Sequence, residues 1–252
     1  MKPLSIFPWA AALGAVVFST SAIAGNLTMT LTSYQPQSPT YAGHAGAGTF
    51  NDPAALEFFN VSAQSGNPIT FPTSLELFCI ELQETIVNGS SHAFEVVGPD
   101  QGSKDVSMGL SANIGLNGIG NTRANNLEIL YGHVFGTNYN PSTVLSTDDL
   151  KSSFQLAVWE LSHDDNFDLK NVSTNGFYLS TTGTVVDDAQ ALVTWVQANQ
   201  GASKMELAAL HLDGVQDFLV PIPEPSTYAM LCGLAVLTAA LWHRRKDAMV
   251  AV

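Results

Sequence analysis

The sequence predicts an α+β fold, a single domain of strands with helices inserted among them. Two apolar periodicities lead to this prediction. Apolar and polar residues alternate over residues 27–33 and again over 207–218, as in strands with one buried face. Between these segments, apolar residues recur at helical spacing over residues 125–135, 146–162 and 185–199. Because helical segments lie within a chain that begins and ends with strands, helices packed on a sheet are expected.

Strand signals dominate the first half of the domain. Leu27–Ser33 alternates clearly, and Leu75–Val87 reads as one strand or two. Ala93–Val97 follows an Asn-Gly pair, which is a hairpin turn signal. Weaker strand signals lie at Thr49–Phe50 and Ile69–Phe71.

Three helices are predicted in the second half. The first covers Asn125–Phe135, and the third covers Val185–Asn199, where Leu192, Val193 and Val196 are expected to face inward. The second begins at Ser146-Thr147-Asp148-Asp149, which supplies an N-cap and acidic residues for the first turn, and it extends to about Ser162. Its expected core stripe is Leu150, Phe154, Ala157, Val158 and Leu161.

Composition excludes some functions. The 252 residues carry a net charge of −13, with 46% hydrophobic and 12% charged residues. A nucleic-acid binder needs a basic surface and a disordered chain needs far fewer apolar residues, so neither class fits. Residues 25–226 hold five Lys and Arg against 21 Asp and Glu, a net of −16. Amine-bearing or cationic partners are therefore favoured over polyanions.

The N-terminus predicts export. A short basic start is followed by an apolar run from Leu4 to Phe18, and Ala22 and Ala24 occupy the small-residue positions of a cleavage site. Residues 1–24 are therefore interpreted as a signal peptide, with the mature chain beginning at about Gly25. An exported domain covering residues 25–219 is expected to follow.

A second apolar run, Thr227–Trp242, lies near the C-terminus and is followed by Arg244, Arg245 and Lys246. Sixteen helical residues measure about 24 Å, somewhat short of the ~30 Å hydrocarbon core. Extension into the flanks or a thinner bilayer closes that gap. The basic cluster is expected to stay on the cytoplasmic side of the inner membrane.

The Pro223-Glu224-Pro225 motif, the apolar helix and the basic end, in that order over residues 220–252, resemble the PEP-CTERM sorting tail. The resemblance implies a membrane-anchored precursor that an exosortase processes during transfer to the surface or biofilm matrix of a Gram-negative bacterium. The six residues after Lys246 depart from the family pattern. An ordinary tail anchor after a Pro-rich linker is the alternative.

Cysteine usage narrows the chemistry. Of the two cysteines, Cys232 lies inside the C-terminal apolar run, which leaves Cys79 alone in the exported domain. An internal disulfide is therefore impossible in that domain. A lone thiol in an oxidising compartment is a liability unless it is buried or covalently occupied.

Two segments stand out, Leu77-Phe78-Cys79-Ile80-Glu81-Leu82 and Phe154-Gln155-Leu156-Ala157-Val158-Trp159. Together they resemble the thioester domain of bacterial surface adhesins. The resemblance extends loosely over residues 75–190, with a stretch between the two segments that does not align. It implies an intramolecular thioester with sulfur from Cys79 and the acyl carbon from Gln155.

The residues themselves are compatible with this chemistry. A thiol can displace ammonia from a carboxamide only if the two groups are held together and water is excluded. Phe78, Ile80, Phe154 and Trp159 are candidates for that enclosure. Gln155 and Trp159 are neighbours on one helix face, so Gln155 can face a strand while Trp159 covers it. A partner's amine would then form an amide with Gln155 and release the Cys79 thiol.

Two functional interpretations follow. The first is a covalent adhesin, a single-use acyl donor that turns over no substrate and needs no cofactor. The second is a non-covalent structural or biofilm-matrix protein, in which Cys79 is a buried apolar residue and Gln155 lies on a helix surface. No catalytic set of a hydrolase is recognisable in the sequence.

Weaker candidates complete the analysis. Asp164, Asn166 and Asp168 match the first ligand positions of a calcium loop, but the required Gly and Glu are missing, so a solvated turn is favoured and no metal site is expected. His133 and His163 are either bases assisting thioester formation or ordinary histidines. Glu81 and Glu160 either pair as acid and base or serve solubility at strand edges.

Overall fold

The computed structural model describes residues 25–36, 39–45, 48–67, 69–82, 84–103, 118–170 and 177–222. Within them the chain has the predicted α+β composition, with a closed antiparallel barrel and a layer of helices. The N-terminal apolar segment, the Pro223-Glu224-Pro225 motif, Cys232 and the basic cluster at Arg244, Arg245 and Lys246 lie outside the described residues.

Strands account for most of the first half of the described chain. They are β1 Gly25–Gln35, β2 Thr40–Ala45, β3 Gly48–Pro53, β4 Leu56–Ser65, β5 Ser74–Cys79, β6 Ser91–Val97, β7 Phe177–Leu179, β8 Leu207–Leu212 and β9 Val215–Pro221. In the described chain, the barrel closes in the order β1-β4-β5-β9-β8-β6, with β6 returning to β1. A separate sheet has the order β3-β2-β7.

The barrel interior is filled by the alternating apolar side chains of its strands. Leu27, Met29 and Leu31 of β1 are buried, as their period of two predicts. The Phe218 ring of β9 packs edge-on against Phe59 at 4.9 Å and against Phe94 at 5.9 Å between ring centroids. Such edge-to-face contacts add to the burial energy of the rings and fix the strands around one core.

The helical layer is built around one buried helix. The described helices are α1 Asn121–Phe135, α2 Pro141–Val144, α3 Asp148–His163 and α4 Thr184–Ala198. Helix α3 begins where the Thr147 side chain accepts a hydrogen bond from Leu150 N at 3.2 Å. It packs against α1, α4 and the barrel strand β5, so every residue from Lys151 to His163 is buried.

Several sequence predictions are confirmed and others are wrong. The strands at Leu27–Ser33 and Ala93–Val97 and the three long helices form within a few residues of the predicted bounds. Leu150 was placed in the core stripe of α3 but is 40% exposed, because it lies in the first turn, before the helix is covered on all sides. Ile69–Phe71 forms no strand, and the strand expected over residues 75–87 ends at Cys79.

The last predicted strand is two strands. Residues 207–218 contain a tight turn between β8 and β9, where Gly214 has a φ of 79°. Only a residue that tolerates positive φ permits this turn, and the Asp213-Gly214 pair is a hairpin signal of the same kind as Asn88-Gly89. Strand β9 extends to Pro221, so residues 220–221 belong to the barrel and not to the tail.

Among the residues that the structure describes, no helix is long and apolar enough to span a bilayer. The predicted C-terminal span lies beyond Ile222, outside these residues.

Candidate thioester site

The two segments singled out in the sequence meet where β5 ends against α3. The side-chain carboxamide of Gln155 pairs with the main chain of Cys79 from both of its ends. Cys79 N donates to Gln155 Oε1 at 3.1 Å, and Gln155 Nε2 donates to Cys79 O at 2.8 Å. Gln155 is fully buried, so the alternative of a helix-surface glutamine is wrong. Burial of a carboxamide requires such partners, and here both are supplied by one residue.

The Cys79 sulfur is a buried free thiol with a polar neighbour from the same helix. Trp159 Nε1 donates a hydrogen bond to Cys79 Sγ at 3.3 Å. The pKa of the Cys79 thiol is raised well above its usual value, chiefly by burial and next by the nearby Glu57 carboxyl, while the Trp159 hydrogen bond lowers it. The thiol is therefore protonated at neutral pH and inert toward external reagents that need a thiolate.

The residues proposed to enclose the site are all buried, but they differ in position. Phe78 and Phe154, the neighbours of Cys79 and Gln155, pack on each other at 4.7 Å between ring centroids. Trp159 meets Phe50 edge-on at 5.9 Å and covers the sulfur directly. Ile80 lies against the backbone of Gly102, so it supports the strand end and does not line the cavity described next.

A cavity of about 160 Å³ opens beside Cys79 and Trp159. Its wall includes four acidic residues and, among the described residues, no Lys, Arg or His. The acidic residues are Asp52, Glu57, Glu81 and Glu84. The cavity is thus a small approach to the sulfur side of the Cys79–Gln155 pair, and its described wall offers carboxyl groups but no basic side chain.

Glu57 is the most unusual of these acids. It lies on β4, is 8% exposed, and its Oε2 atom has no hydrogen-bond partner among the described residues. Burial raises the pKa of Glu57 to about 8. Glu57 was not predicted from the sequence, because a single acid within the apolar run of β4 resembles an ordinary edge-strand charge.

A second buried acid lies on β9, the strand that pairs with β5. Asp217 of β9 is fully buried and accepts hydrogen bonds from Ser103 N, His211 Nδ1 and Leu212 N at 2.7, 2.8 and 3.0 Å. Its own N donates to Glu81 Oε2 at 2.9 Å. Burial raises the pKa of both carboxyls, that of Glu81 to about 10. Glu81 is therefore the protonated member of the pair, and the Asp217 carboxylate accepts the hydrogen bonds.

The two histidine candidates have other surroundings. His133 stacks on Trp195 with ring centroids 3.5 Å apart. His163 lies one turn beyond Trp159, with Nδ1 near Ser162 Oγ and Trp159 O. Burial lowers the pKa of His163 to about 4, so it stays neutral. No described hydrogen bond joins either histidine to Cys79 or Gln155.

Glu81 and Glu160 belong to different clusters. Glu81 interacts with Asp217 and Glu84, whereas Glu160 accepts a hydrogen bond from Asp168 N at 2.8 Å. Both are buried, so the reading of these residues as strand-edge solubility groups is wrong. Burial raises the pKa of Glu160 to about 8.

The acidic segment after α3 is a hydrogen-bonded turn. The Asp164 carboxylate accepts from Asp165 N, from Asn166 N and Nδ2, and from Phe177 N at 2.6–3.1 Å. These donors occupy the oxygens that a cation would need. Across the described residues, no group of three or more His, Cys, Asp or Glu is arranged to hold a metal ion.

Comparison of the chain with known protein families, with curated proteins and with solved structures finds no match.

Proposed function

We propose that the domain forms an internal thioester between Cys79 Sγ and Gln155 Cδ and uses it once, to acylate an amine on a partner molecule. The observation that carries the proposal is the double hydrogen bond between the Gln155 carboxamide and the Cys79 main chain. Two residues 76 positions apart are held together by it inside a buried site. Such fixed proximity is what the condensation requires.

The chemistry follows from these contacts. The Cys79 sulfur adds to Gln155 Cδ, the thiol proton passes to the departing nitrogen, and ammonia leaves as the S–Cδ bond replaces the Cδ–Nε2 bond. Negative charge develops on Oε1 during the addition, and Cys79 N–H already donates to this atom at 3.1 Å. A preorganised donor at a developing oxyanion lowers the barrier substantially.

Trp159 supports both steps of the reaction, the formation of the thioester and its opening by an amine. Its N–H bond to Sγ stabilises negative charge on sulfur, which develops when the thiol attacks and again when an amine expels it. The buried surroundings slow hydrolysis, because water has little access to the acyl carbon. The product is an amide from Gln155 to the partner and a free Cys79 thiol, and no turnover follows.

The flanking segments place this reaction outside the cell. Residues 1–24 direct secretion across the inner membrane, and residues 223–252 anchor the precursor until an exosortase processes it. The resulting surface or matrix protein of a Gram-negative bacterium would attach covalently to amine-bearing molecules and so act as an adhesin. This part of the proposal rests on sequence motifs alone.

Intact mass of the secreted protein tests the thioester. The expected mass is lower than that of the unmodified mature chain by one ammonia, and methylamine is expected to add back at Gln155. Cys79→Ala is the matched control, since it removes the sulfur and leaves Gln155 in place. A wild-type mass without the ammonia loss, or the same loss in Cys79→Ala, would overturn the proposal.

A further inference from the structure

We infer that the cavity beside Cys79 binds the primary ammonium group of the acyl acceptor and that Glu57 accepts a proton from it. The acceptor group that this site fits is an extended alkyl ammonium, like the side chain of lysine. The inference rests on the proposed thioester and adds to it a binding site and a proton acceptor.

The barrel register directs Glu57 to the right face. In the antiparallel pair β4·β5, Glu57 lies opposite Leu77, and Cys79 follows two residues later on β5. Side chains two apart share a face, so Glu57 and Cys79 are diagonal cross-strand neighbours. Both line the same cavity, and Glu57 is the charged group with the largest effect on the Cys79 thiol.

The cavity has the size and charge for an ammonium arm. Its volume of about 160 Å³ is below the ~300 Å³ where pockets for whole small-molecule ligands begin, so it suits one extended side chain. A cation entering it loses water, and the unpartnered Oε2 of Glu57 offers a compensating hydrogen bond. Asp52, on β3, adds a second carboxyl to the wall.

The proton transfer solves a chemical problem. An alkyl ammonium has no lone pair, so it must lose a proton before it attacks Gln155 Cδ. The Glu57 carboxylate takes that proton, the free amine adds to Cδ, and the Cδ–S bond breaks. The second nitrogen proton passes to the departing Cys79 sulfur, which leaves an amide, a thiol and a protonated Glu57 that returns its proton to solvent.

The environment of Glu57 suits this role. A proton acceptor works best when its pKa approaches that of the donor and of the working pH. Burial raises the pKa of Glu57 to about 8, closer to an alkyl ammonium than an ordinary carboxyl is. The other titratable groups that line this cavity are Tyr34 from β1, Asp52 from β3, Cys79 from β5, and Glu81 and Glu84 just after β5.

The first test compares Glu57→Gln with wild type. Glu57→Gln keeps the side-chain shape and is expected to retain the ammonia loss in its intact mass. It should react with methylamine about 100-fold more slowly, the usual minimum contribution of a general base. Its reaction with hydroxylamine, which is uncharged at neutral pH, should change far less. Glu95→Gln removes an equal charge from an exposed position on β6 outside this cavity and should react as wild type.

Equal rates for Glu57→Gln and wild type with methylamine would overturn the inference while leaving the thioester intact. A wild-type chain without the ammonia loss would instead overturn the proposed function. The two failures are therefore distinguishable by the mass recorded before any amine is added.

A second test uses wild type alone, in case Glu57→Gln forms no thioester. Propylamine and β-alanine are similar in size and carry the same ammonium group, but β-alanine also carries a carboxylate. The β-alanine carboxylate would lie against carboxyl groups, and the described residues of the wall include no basic side chain to compensate for its lost hydration. β-Alanine should therefore label at least about tenfold more slowly. Equal labelling by the two amines would overturn the cavity as the entry site.

Discussion

Glu57 and Asp217 are both buried acids of the same barrel, yet their surroundings are opposite. Asp217 accepts three hydrogen bonds, from Ser103 N, His211 Nδ1 and Leu212 N. Glu57 leaves one carboxyl oxygen without any partner among the described residues. Asp217 joins β9 to its neighbours, whereas Glu57 faces a cavity that ends at Cys79.

The difference separates a structural acid from a reactive one. A buried carboxylate with three donors stabilises the fold, and its removal leaves those donors unsatisfied. A buried carboxyl with an unpartnered oxygen costs stability, and such a cost is typical of groups retained for chemistry. Two buried acids of one barrel are therefore expected to respond oppositely to substitution.

The largest effect is expected for Asp217→Ala. It removes the carboxylate that accepts from Ser103 N, Leu212 N and His211 Nδ1, and should lower the free energy of unfolding by about 3–5 kcal/mol. Urea denaturation measures this. Asp213→Ala, on the same hairpin, is the control. The Asp213 side chain meets the other nitrogen of the same histidine, His211 Nε2, at 3.1 Å but is 91% exposed, so its removal should change stability by less than about 1 kcal/mol. Similar losses in both variants would mean that the buried hydrogen bonds of Asp217 contribute no more to stability than an exposed acid does.

The pH dependence of stability should reveal Glu57. Its pKa is raised from 4.5 to about 8 in the fold, so the native state holds a proton that the unfolded state releases. The stability this provides is fully present below about pH 4.5 and is lost as pH rises through about pH 8. Wild type should therefore lose stability relative to Glu57→Gln across this window.

Parallel urea titrations of the two proteins isolate this contribution, since Glu160 also has a pKa raised to about 8 and is present in both. Parallel stability profiles for wild type and Glu57→Gln would mean that Glu57 is ionised in the native state. Its carboxylate would then have hydrogen-bond donors in the native protein, as Asp217 has.

Trp159→Phe should have a smaller effect on stability. It keeps an aromatic ring against Phe50 and removes the N–H bond to Cys79 Sγ, at a cost of about 1–2 kcal/mol. Methylamine labelling should also slow, because the departing sulfur loses its donor. Intact mass over time gives the rate. An unchanged rate would assign Trp159 to packing alone.

The smallest effect is expected for Lys170→Ala. Lys170 pairs with Asp187 at the start of α4, but these side chains are 47% and 62% exposed. Solvent screens such pairs, so stability should change by less than about 0.5 kcal/mol. The change in the free energy of unfolding in this variant gives the effect of removing an exposed charge, with which the effects at both buried acids are compared. A loss above about 1 kcal/mol, measured in urea, would show that charge at the surface matters as much here as charge in the barrel.

The sequence predicted local elements better than long-range closure. The alternation at Leu27–Ser33 and the cap at Thr147 are local signals, and the structure contains both elements. Barrel closure depends on pairing distant strands, such as β1 with β6, and no local pattern encodes that register. Strand β4 was missed because its start, Leu56-Glu57-Phe58-Phe59, has no alternation.

The candidate site divides in the same way. The Cys79 and Gln155 segments carry distinctive neighbours, and in the structure the Gln155 carboxamide is hydrogen-bonded to the Cys79 main chain. Glu57 and Asp52 were not predicted, because acids become unusual only when burial and an unpartnered atom are known. The helix around Gln155 was expected to be amphipathic, yet its neighbours bury all of it after the first turn.

The pairing of β5 with β9 carries a mechanical consequence. Phe78 and Cys79 bond in register to Leu219 and Phe218, the strand that leads to the proposed sorting tail. A pull between a partner on Gln155 and an anchor beyond Pro221 would therefore cross α3, β5 and β9 by the shortest route. The thioester would close a loop of 76 residues, and such a crosslink should raise the free energy of unfolding by about 4 kcal/mol. Reaction with a partner opens that loop, so the domain would be strongest before capture and more extensible while bearing load.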